Sequence, residues 1–474
     1  MLDAPPRLVV AGTGGDSGKT LVTLGLASAW RQAGLVVSAF KKGPDYIDAA
    51  WLSRATDRPA RNLDTWIMGE EAVLRSIGRC SVGTDIALVE GNRGVLDGYE
   101  GHSTAMLARL IGAPVVLVID VTKVTRTAAA FVAGVRALSP KTRIAGVIAN
   151  RVGGSRHARE VKKAIEEETG VPVVGAIPRL KGADLLPDRH LGLVPPLEHR
   201  RMEEVVRSLG VIARDHVDLE NLIDLARTSD APLDLPLSPP RERCCDPVRI
   251  GVFQDSAFTF YYPENLEALE QAGAELVPVS SLDDRELPEV DLLYLGGGFP
   301  ETHAGALSAN RSLMRSVRKA ADGGLPIYAE CGGLIYLSRS VRFEGRRSEF
   351  CGVFDIDIEV HPKPQGHGYA EMVVDRENPF FPPGTELRGH EFHYSGVSTG
   401  AGKLQFAFTV RRGAGSLDGR DGITTHSVLA TWLHLHALGT PAWAPALVRR
   451  ARQHANERRT VSANTPETNF AASH

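Results

Sequence analysis

The chain has 474 residues, of which 43% are hydrophobic and 23% charged, and 54 basic against 57 acidic side chains give a formal net charge of -3 at pH 7. This composition is typical of a globular protein with two large or about three smaller domains. It excludes a fibrous or disordered chain, a membrane-spanning protein, and a basic surface for nucleic acid or anionic lipid.

Apolar runs that resemble strands alternate with helical patterns through the first half of the chain. They lie at residues 8–11, 36–40, 86–89, 115–119, 145–148 and 171–177. Strands that are apolar throughout and separated by helices are typical of a parallel sheet covered on both faces. Residues 7–226 are therefore predicted to form a doubly wound α/β domain.

The first predicted strand leads into a glycine-rich loop, residues 12–20, with the sequence Gly-Thr-Gly-Gly-Asp-Ser-Gly-Lys-Thr, and a helical pattern follows. Such a loop turns backbone N–H groups toward phosphates at the N-terminus of a helix. The pattern predicts that Gly14, Gly15 and Gly18 surround the phosphates of ATP, that Lys19 reaches the β- and γ-phosphates, and that Thr20 binds Mg²⁺. One departure is a threonine at position 13, where the strict pattern has glycine.

Carboxylates follow the next two predicted strands. Asp45 and Asp48 come after the second strand, and Glu90 and Asp97 come after the third. Ligands of open α/β sheets bind beside the carboxyl ends of the strands, so these side chains are expected to face the same crevice as Lys19. Four carboxylates at the ends of strands beside a phosphate loop indicate a metal-assisted phosphate site.

Asn150 follows the fifth predicted strand, at the same edge of the sheet. A side-chain amide at this position is suited to reading an adenine ring through hydrogen bonds. From the residues alone, an asparagine that forms a turn at the end of a strand is the alternative.

A proline-rich and polar stretch within residues 227–247 indicates a linker. Strand-like runs then restart at residues 248–253, 275–279, 292–295 and 325–328. They predict a second α/β domain over residues 248–453. Residues 454–474 are predicted to be a polar, disordered tail.

Five cysteines in so long a chain exclude a secreted disulfide scaffold and predict a cytoplasmic protein. Cys331 lies between a predicted strand and a predicted helix, in a segment whose two following glycines permit the sharp turn of a nucleophile elbow. Gly297 and Gly298, in an earlier glycine-rich turn, are suited to an oxyanion hole. A cysteine nucleophile needs a base, and His434 and His436 are both candidates.

These residues lie within longer motifs that resemble the glutamine-dependent a,c-diamide synthases of cobyrinic and hydrogenobyrinic acid, enzymes of vitamin B12 synthesis. The resemblance covers residues 7 to 450 in the order of the family's domains. Its motifs are Lys-Gly-Pro-Asp-Tyr-Ile-Asp at 42–48, Arg-His-Leu-Gly-Leu-Val at 189–194, Phe-Thr-Phe-Tyr-Tyr-Pro-Glu-Asn at 258–265 and Gly-His-Glu-Phe-His-Tyr-Ser at 389–395.

The resemblance implies a dethiobiotin-synthetase-like ATPase domain joined to a class I glutamine amidotransferase domain. It implies that Cys331 attacks the side-chain amide of glutamine and that His434 is the catalytic histidine, with His436 as the alternative. Related amidotransferases have a glutamate two residues after this histidine, and neither candidate here is followed by one. Further implied roles are synthetase chemistry for Asp45, Glu90 and Asp97, and adenine reading for Asn150. In the implied mechanism, Asp45 and Glu90 bind Mg²⁺ together with Thr20.

The implied reaction is amidation of the a and c acetate carboxylates of a tetrapyrrole through an acyl phosphate, with ammonia supplied by glutamine hydrolysis. Its cofactors are ATP and Mg²⁺, its partners are small molecules, with no membrane or nucleic acid, and a homodimer is compatible with it. Arg93, Arg189 and His190 are candidates for binding the substrate carboxylates. Because the segment around Asn92 and Arg93 departs from the commonest B12-type pattern, sirohydrochlorin, its nickel complex or sirohaem is an alternative substrate.

Two hypotheses from other classes compete with this one. A non-catalytic nucleotide switch would use the phosphate loop and leave Cys331 without a role. A stand-alone thiol hydrolase would use Cys331 and leave Asp45 and Asp97 without one. ATP-dependent amide formation coupled to loss of glutamine distinguishes the amidating ligase from both.

Overall fold

A computed structural model describes residues 5–180, 188–189, 192–199, 201–230, 246–400, 404–425 and 427–463. Internal contacts group the chain into two units, Met1–Pro239 and Pro240–His474. The boundary lies inside the segment predicted as a linker, whose residues 231–245 are outside the described residues.

The first unit is built on a seven-stranded parallel sheet in the order β3-β2-β4-β1-β5-β6-β7. The strands are β1 (Arg7–Gly12), β2 (Val37–Lys42), β3 (Arg61–Leu63), β4 (Ile86–Gly94), β5 (Val115–Asp120), β6 (Ile144–Val152) and β7 (Val173–Pro178). All six predicted strands are present. The short β3 was not predicted, because three residues reading Arg-Asn-Leu form no apolar run.

Every residue of β1 and β2 is buried. Since successive side chains of a strand point to opposite faces, both faces of the sheet are covered, which confirms the doubly wound α/β prediction. The helices are α1 (Lys19–Gln32), α2 (Tyr46–Thr56), α3 (Thr65–Met68), α4 (Glu70–Cys80), α5 (Thr104–Leu110), α6 (Thr127–Leu138), α7 (Ser155–Thr169), α8 (Met202–His216) and α9 (Leu219–Arg227). Two short strands, β8 (Asp188–Arg189) and β9 (Gly192–Leu193), pair with each other between β7 and α8.

The second unit contains a ten-stranded mixed sheet and a separate four-stranded sheet. Its strands are β10 (Val248–Phe253), β11 (Ala274–Val279), β12 (Leu292–Leu295), β13 (Ile327–Glu330), β14 (Ser340–Phe343), β15 (Arg346–Glu349), β16 (Ile356–Val360), β17 (Gly366–Val374), β18 (Glu386–His393), β19 (Ser395–Gly400), β20 (Gln405–Arg412), β21 (Arg420–Thr425), β22 (Val428–Thr431) and β23 (His434–Leu435). Its helices are α10 (Pro263–Gln271), α11 (Ala304–Ala309), α12 (Arg311–Asp322), α13 (Gly332–Leu337) and α14 (Trp443–Ala463).

The large sheet has a parallel part, β11-β10-β12-β13-β22, continued by an antiparallel part, β21-β20-β17-β18-β23. The four strands predicted from apolar runs all belong to the parallel part. The antiparallel strands were not predicted, because polar residues interrupt their apolar ones, as in the mixed burial of β18.

Helix α14 extends to Ala463, into the segment predicted as a polar tail. His454 and Ala455 are buried, and Arg458 and Arg459 contact Glu289 and Asp246 of the same unit at 3.0 and 3.1 Å. The tail prediction is therefore corrected for residues 454–463, whereas residues 464–474 lie outside the described residues. No helix in the described part of the chain combines the length and the apolar character needed to cross a bilayer.

Candidate active sites

The phosphate loop of the first unit joins β1 to α1. Gly18, the residue just before α1, has a φ of 88°, which is the left-handed region where only glycine is unstrained. A Cβ atom on Gly18 would collide with the side-chain amide of Asn150, whereas one on Gly14 or Gly15 would meet nothing within 4 Å. The loop is therefore packed against β6 at Gly18 and open at Gly14 and Gly15, the side on which a phosphate group has room.

Asn150 and Arg151, at the end of β6, support this loop. Asn150 Nδ2 donates to the carbonyl of Ser17 at 2.9 Å, and its Oδ1 accepts from the backbone of Arg151. Arg151 donates to the carbonyl of Asp16 and forms an ion pair with Asp120. Both ends of the Asn150 amide thus bind protein backbone here, and adenine reading by this residue stays a prediction.

A buried charged cluster lies beside the loop. Thr20 Oγ1 donates to Glu90 Oε1 at 2.6 Å, and Lys41 Nζ donates to the same oxygen at 2.9 Å. Lys41 also pairs with Asp48, whose backbone N–H donates to Asp45 Oδ1 at 2.9 Å. The register explains this assembly, because β4 lies between β1 and β2 and pairs Glu90 with Lys41 on one side and with Val10 on the other.

Burial and mutual charge shift the acidities of this cluster. Burial and the neighbouring Asp48 raise the pKa of Asp45 to about 6. Burial also raises the pKa of Glu90, although Lys41 opposes that shift. Burial disfavours the charge on Lys41, but Asp48 and Glu90 outweigh it and raise the pKa of this lysine. The site therefore keeps a buried ammonium group among carboxylates.

The residues of the cluster fit the group that the phosphate loop implies. Mg²⁺ prefers hydroxyl and carboxylate oxygens and is usually held by one or two carboxylates together with phosphate oxygens and water. Thr20, Asp45 and Glu90 supply such oxygens, and Glu90 Oε2 is buried without a hydrogen-bond partner in the described part of the chain. Among the described residues, no group of three His, Cys, Asp or Glu side chains is arranged to hold a metal ion. A magnesium site here would therefore need phosphate oxygens and water as further ligands.

The remaining predicted residues of the first unit lie farther out or cannot be described. Asp97 is exposed and accepts from the backbone of Gly94 at 2.9 Å. Arg93 is also exposed, with a φ of 43°. His190 is outside the described residues, and only the backbone of Arg189 is described, in β8.

Cys331 of the second unit lies on a strained turn between β13 and α13. Its φ is 46° and its ψ is -96°, a conformation that a non-glycine residue adopts only when its surroundings enforce it. Its backbone N–H donates to Thr431 O on β22 at 2.8 Å. Burial, and then the nearby Glu301, raises the pKa of the Cys331 thiol. The resting group is therefore a neutral thiol that needs a base.

His434 is buried on the edge strand β23, close to the glycine-rich turn. A Cβ on Gly297 would lie 2.5 Å from Cε1 of His434, and a Cβ on Gly332, next to Cys331, would lie 3.0 Å from the backbone nitrogen of Gly298. The turn at Gly297 and Gly298 thus contacts both the histidine and the elbow, which is the placement that an oxyanion hole requires.

Each of the two candidate histidines faces its own buried glutamate. His434 Nδ1 lies 3.5 Å from Glu330 Oε2, and His436 Nε2 lies 3.7 Å from Glu264 Oε2. Asn265 fixes the segment that carries both histidines, since it donates to Leu435 O and accepts from the N–H of Ala437.

Sequence reasoning missed two residues of these sites. Lys41 was not predicted, although a lysine at the end of a strand that acidic residues follow is a signal of a phosphate site. No sequence signal indicated that Glu330 lies beside the histidine. It directly precedes Cys331, whereas the related enzymes carry their glutamate after the histidine.

Comparison with known proteins agrees with this division into two sites. Residues 8–194 match the CobQ/CobB/MinD/ParA nucleotide binding domain, and residues 249–442 match the CobB/CobQ-like glutamine amidotransferase domain. The chain is 44% identical over 457 residues to the cobyrinate a,c-diamide synthase of Magnetococcus marinus, covering 94% of this chain and 97% of that protein. It is 40% identical over 454 residues to the enzyme of the same name from Methanothermobacter thermautotrophicus, covering 94% and 99%.

Proposed function

The chain belongs to the cobyrinate a,c-diamide synthase family, and on that premise we propose that it amidates the a and c acetate carboxylates of cobyrinic or hydrogenobyrinic acid. It is an amidating ligase with a nucleotide-binding domain and a glutamine amidotransferase domain. The observation that carries the proposal is the presence, in one chain, of a buried thiol on a strained elbow and of a lysine–carboxylate cluster beside a phosphate loop.

The first unit activates the substrate carboxylate, whose oxygen is a poor leaving group. The carboxylate takes the γ-phosphoryl group of ATP, which gives an acyl phosphate and ADP. Thr20, Asp45 and Glu90 would hold Mg²⁺, which would neutralise charge on the phosphates. Lys19 and the buried ammonium of Lys41 supply further positive charge beside the loop.

The second unit releases ammonia from glutamine. His434 accepts the proton of the Cys331 thiol, and the sulfur attacks the side-chain amide carbon while its oxygen binds at the turn of Gly297 and Gly298. The amide nitrogen takes the proton from His434 and leaves as ammonia, and water then hydrolyses the thioester to glutamate. Ammonia displaces phosphate from the acyl phosphate, so each amide formed consumes one ATP and one glutamine.

The remaining parts of the proposal concern the substrate and its setting. Asp97, exposed beside the β4 loop, is proposed to hold the incoming ammonia, and Arg93, Arg189 and His190 to bind the tetrapyrrole carboxylates. A reducing, cytoplasmic location is consistent with the thiols of Cys331 and Cys351, which form no disulfide. A homodimer stays a prediction, which light scattering on the purified protein tests.

A substrate panel read by mass spectrometry tests the proposed function. The enzyme is incubated with ATP, Mg²⁺ and glutamine, and separately with each of cobyrinic acid, hydrogenobyrinic acid, sirohydrochlorin, its nickel complex and sirohaem. Each exchange of OH for NH₂ lowers the mass by about one unit, since the two groups differ by one unit while the rest of the molecule is unchanged. Two exchanges on cobyrinic or hydrogenobyrinic acid support the proposal. Turnover restricted to the sirohydrochlorin group would assign the same chemistry to another tetrapyrrole, and loss of glutamine without ATP-dependent amide formation would overturn the ligase mechanism.

A further inference from the structure

Glu330 is the nearest buried acid in sequence to the proposed nucleophile, and it faces the proposed base. We propose that Glu330 is the positioning residue that orients His434 and completes a Cys331–His434–Glu330 triad, with the acid supplied from the residue before the nucleophile. This inference rests on the proposed function of Cys331 and His434 and adds a role that the sequence pattern of the family does not contain.

The carboxylate of Glu330 is held so that one oxygen is occupied and the other faces the histidine. Its Oε1 accepts from the hydroxyl of Tyr328 at 3.0 Å and from the backbone of Leu435 at 3.4 Å. Its Oε2 accepts no hydrogen bond of ordinary length from the residues described, and lies 3.5 Å from Nδ1 of His434. Catalytic hydrogen bonds are often this long in a resting enzyme and shorten when the substrate binds.

Both members of this pair are buried, with side-chain exposures of 2% for His434 and 1% for Glu330. A buried carboxylate is unfavourable unless it is paired and hydrogen-bonded, so the site favours contact of Oε2 with an N–H group. The ring of His390 stacks on that of His434, with centroids 4.9 Å apart and planes 22° apart. Burial, and then His434, lowers the pKa of His390, so this neighbour is neutral and fixes the ring plane without adding charge.

This geometry assigns the protons of His434. A carboxylate at Nδ1 selects the tautomer that carries its hydrogen on Nδ1, and Nε2 then has the lone pair that takes the Cys331 proton. Glu330 stabilises the imidazolium that forms in that step. The proton passes from sulfur to Nε2 and then to the leaving ammonia, so Glu330 acts only through His434.

The other buried pair, His436 and Glu264, is not arranged to act as a base and its orienting acid. His436 Nδ1 accepts from the backbone N–H of Leu438 at 3.2 Å, and its Nε2 faces Glu264. Its hydrogen therefore lies on Nε2, and its lone pair is already used by the backbone. We assign the His436–Glu264 pair a structural role, which makes Glu264 the matched control for Glu330.

The test compares Glu330→Gln with Glu264→Gln in the full-length enzyme. The amide group introduced by the substitution is uncharged, so it cannot stabilise the imidazolium as a carboxylate does, and its nitrogen cannot accept a hydrogen bond. For Glu330→Gln we expect kcat for glutamine hydrolysis to fall by about 100-fold or more while KM for glutamine changes less than about threefold. Glu264→Gln is expected to keep kcat within about threefold of the wild type, as removal of a structural contact does. Amidation driven by added ammonium chloride is expected to be normal in both variants.

A double-mutant cycle separates positioning from folding. Because Glu330 acts through His434, adding Glu330→Gln to His434→Asn is expected to lower the residual glutaminase rate no further. If Glu330→Gln does not fold, Tyr328→Phe serves in its place, because it removes one of the two hydrogen bonds to Oε1 without removing charge. A loss of roughly threefold to tenfold in kcat is expected from the lost hydrogen bond.

The proposal is overturned if Glu330→Gln, or Tyr328→Phe in its place, keeps the wild-type kcat for glutamine, if Glu264→Gln suffers the larger loss, or if the two mutations of the cycle are additive. A wild-type enzyme that forms no amide even from added ammonia would instead overturn the proposed function and would leave the glutaminase comparison intact.

Discussion

Lys41 is fully buried and nevertheless charged, because Asp48 and Glu90 contact its ammonium group. Removing one partner of such a buried pair leaves the other charge uncompensated, which is far more destabilising than losing an exposed ion pair. Glu90 has the central position, since a single oxygen of its carboxylate accepts from both Thr20 and Lys41.

Glu90→Gln is therefore expected to lower ammonia-driven amidation by about 100-fold or more, the size of effect seen when a charge-stabilising group is removed. Glutamine hydrolysis should stay near the wild-type rate, since the glutaminase lies in the other unit. Glu100→Gln, an exposed glutamate of the same unit, is the control and should leave both rates unchanged. Equal losses of both activities in Glu90→Gln would contradict separate sites.

Glu391, buried on β18, is expected to make stability depend on pH. It accepts backbone hydrogen bonds from Ala414 and Gly415, yet burial, and then Asp421, raises its pKa to about 7, well above the usual range of a glutamate. A carboxyl group with a raised pKa in the folded state favours folding fully below its unfolded pKa. That contribution is lost as the pH rises through the folded pKa.

We therefore expect the second unit to lose about 3 kcal/mol of unfolding free energy through this group between pH 4.5 and pH 8. Glu391→Gln should remove that part of the pH dependence, as measured by urea denaturation at both pH values. Glu386→Gln, an exposed change on the same strand, should keep the wild-type dependence. An unchanged slope in Glu391→Gln would show that the group ionises freely in the folded protein.

Among the elements, helices α1 and α8 illustrate how closely two helices approach where glycine occupies the contact. A Cβ on Gly25 of α1 would lie 2.9 Å from the carbonyl of Leu209 and 3.2 Å from Cβ of Ala213 on α8. A Cβ on Gly134 of α6 would instead meet nothing within 4 Å.

Opposite effects are expected from alanine at these two helical positions. Gly134→Ala should stabilise the protein by about 0.5–1 kcal/mol, because it restricts the unfolded chain at a site with room for the methyl group. Gly25→Ala should destabilise it by about 1–3 kcal/mol, because the two helices must move apart. Thermal unfolding of both variants measures the difference, and equal shifts of Tm would show that the α1–α8 contact yields to a methyl group without penalty.

Elements that a short stretch of sequence encodes by itself were predictable. The parallel strands are continuous apolar runs, and the phosphate loop and the elbow at Cys331 are turns that need particular residues at fixed spacings. The antiparallel strands β17 to β21 and the pairing of Glu330 with the segment after β22 were not predictable. They depend on contacts between distant residues, such as the hydrogen bond from Leu435 to Glu330, 105 positions apart, which no local pattern encodes.

For the whole molecule, the proposed mechanism couples two reactions through ammonia. Cys331→Ser is expected to abolish glutamine-driven amidation, since the hydroxyl is a far weaker nucleophile than the thiol. It should leave amidation from added ammonium chloride at the wild-type rate. Mass spectrometry of the tetrapyrrole after incubation with each nitrogen source measures both. Loss of both reactions in a still-folded protein would contradict the two-site account.

The proposed nucleophile Cys331 and its proposed base His434 are separated along the chain by the antiparallel strands β17 to β21, and on these roles glutaminase activity is expected only late in synthesis. The ribosome completes Cys331 and the parallel strands β10 to β13 well before β22, which binds the elbow backbone through Thr431, and before β23, which carries His434. Domains generally fold as units while the chain emerges. On the proposed roles, a nascent or prematurely terminated chain contains the whole nucleotide unit and no working glutaminase, so glutamine is not wasted by incomplete copies of the enzyme.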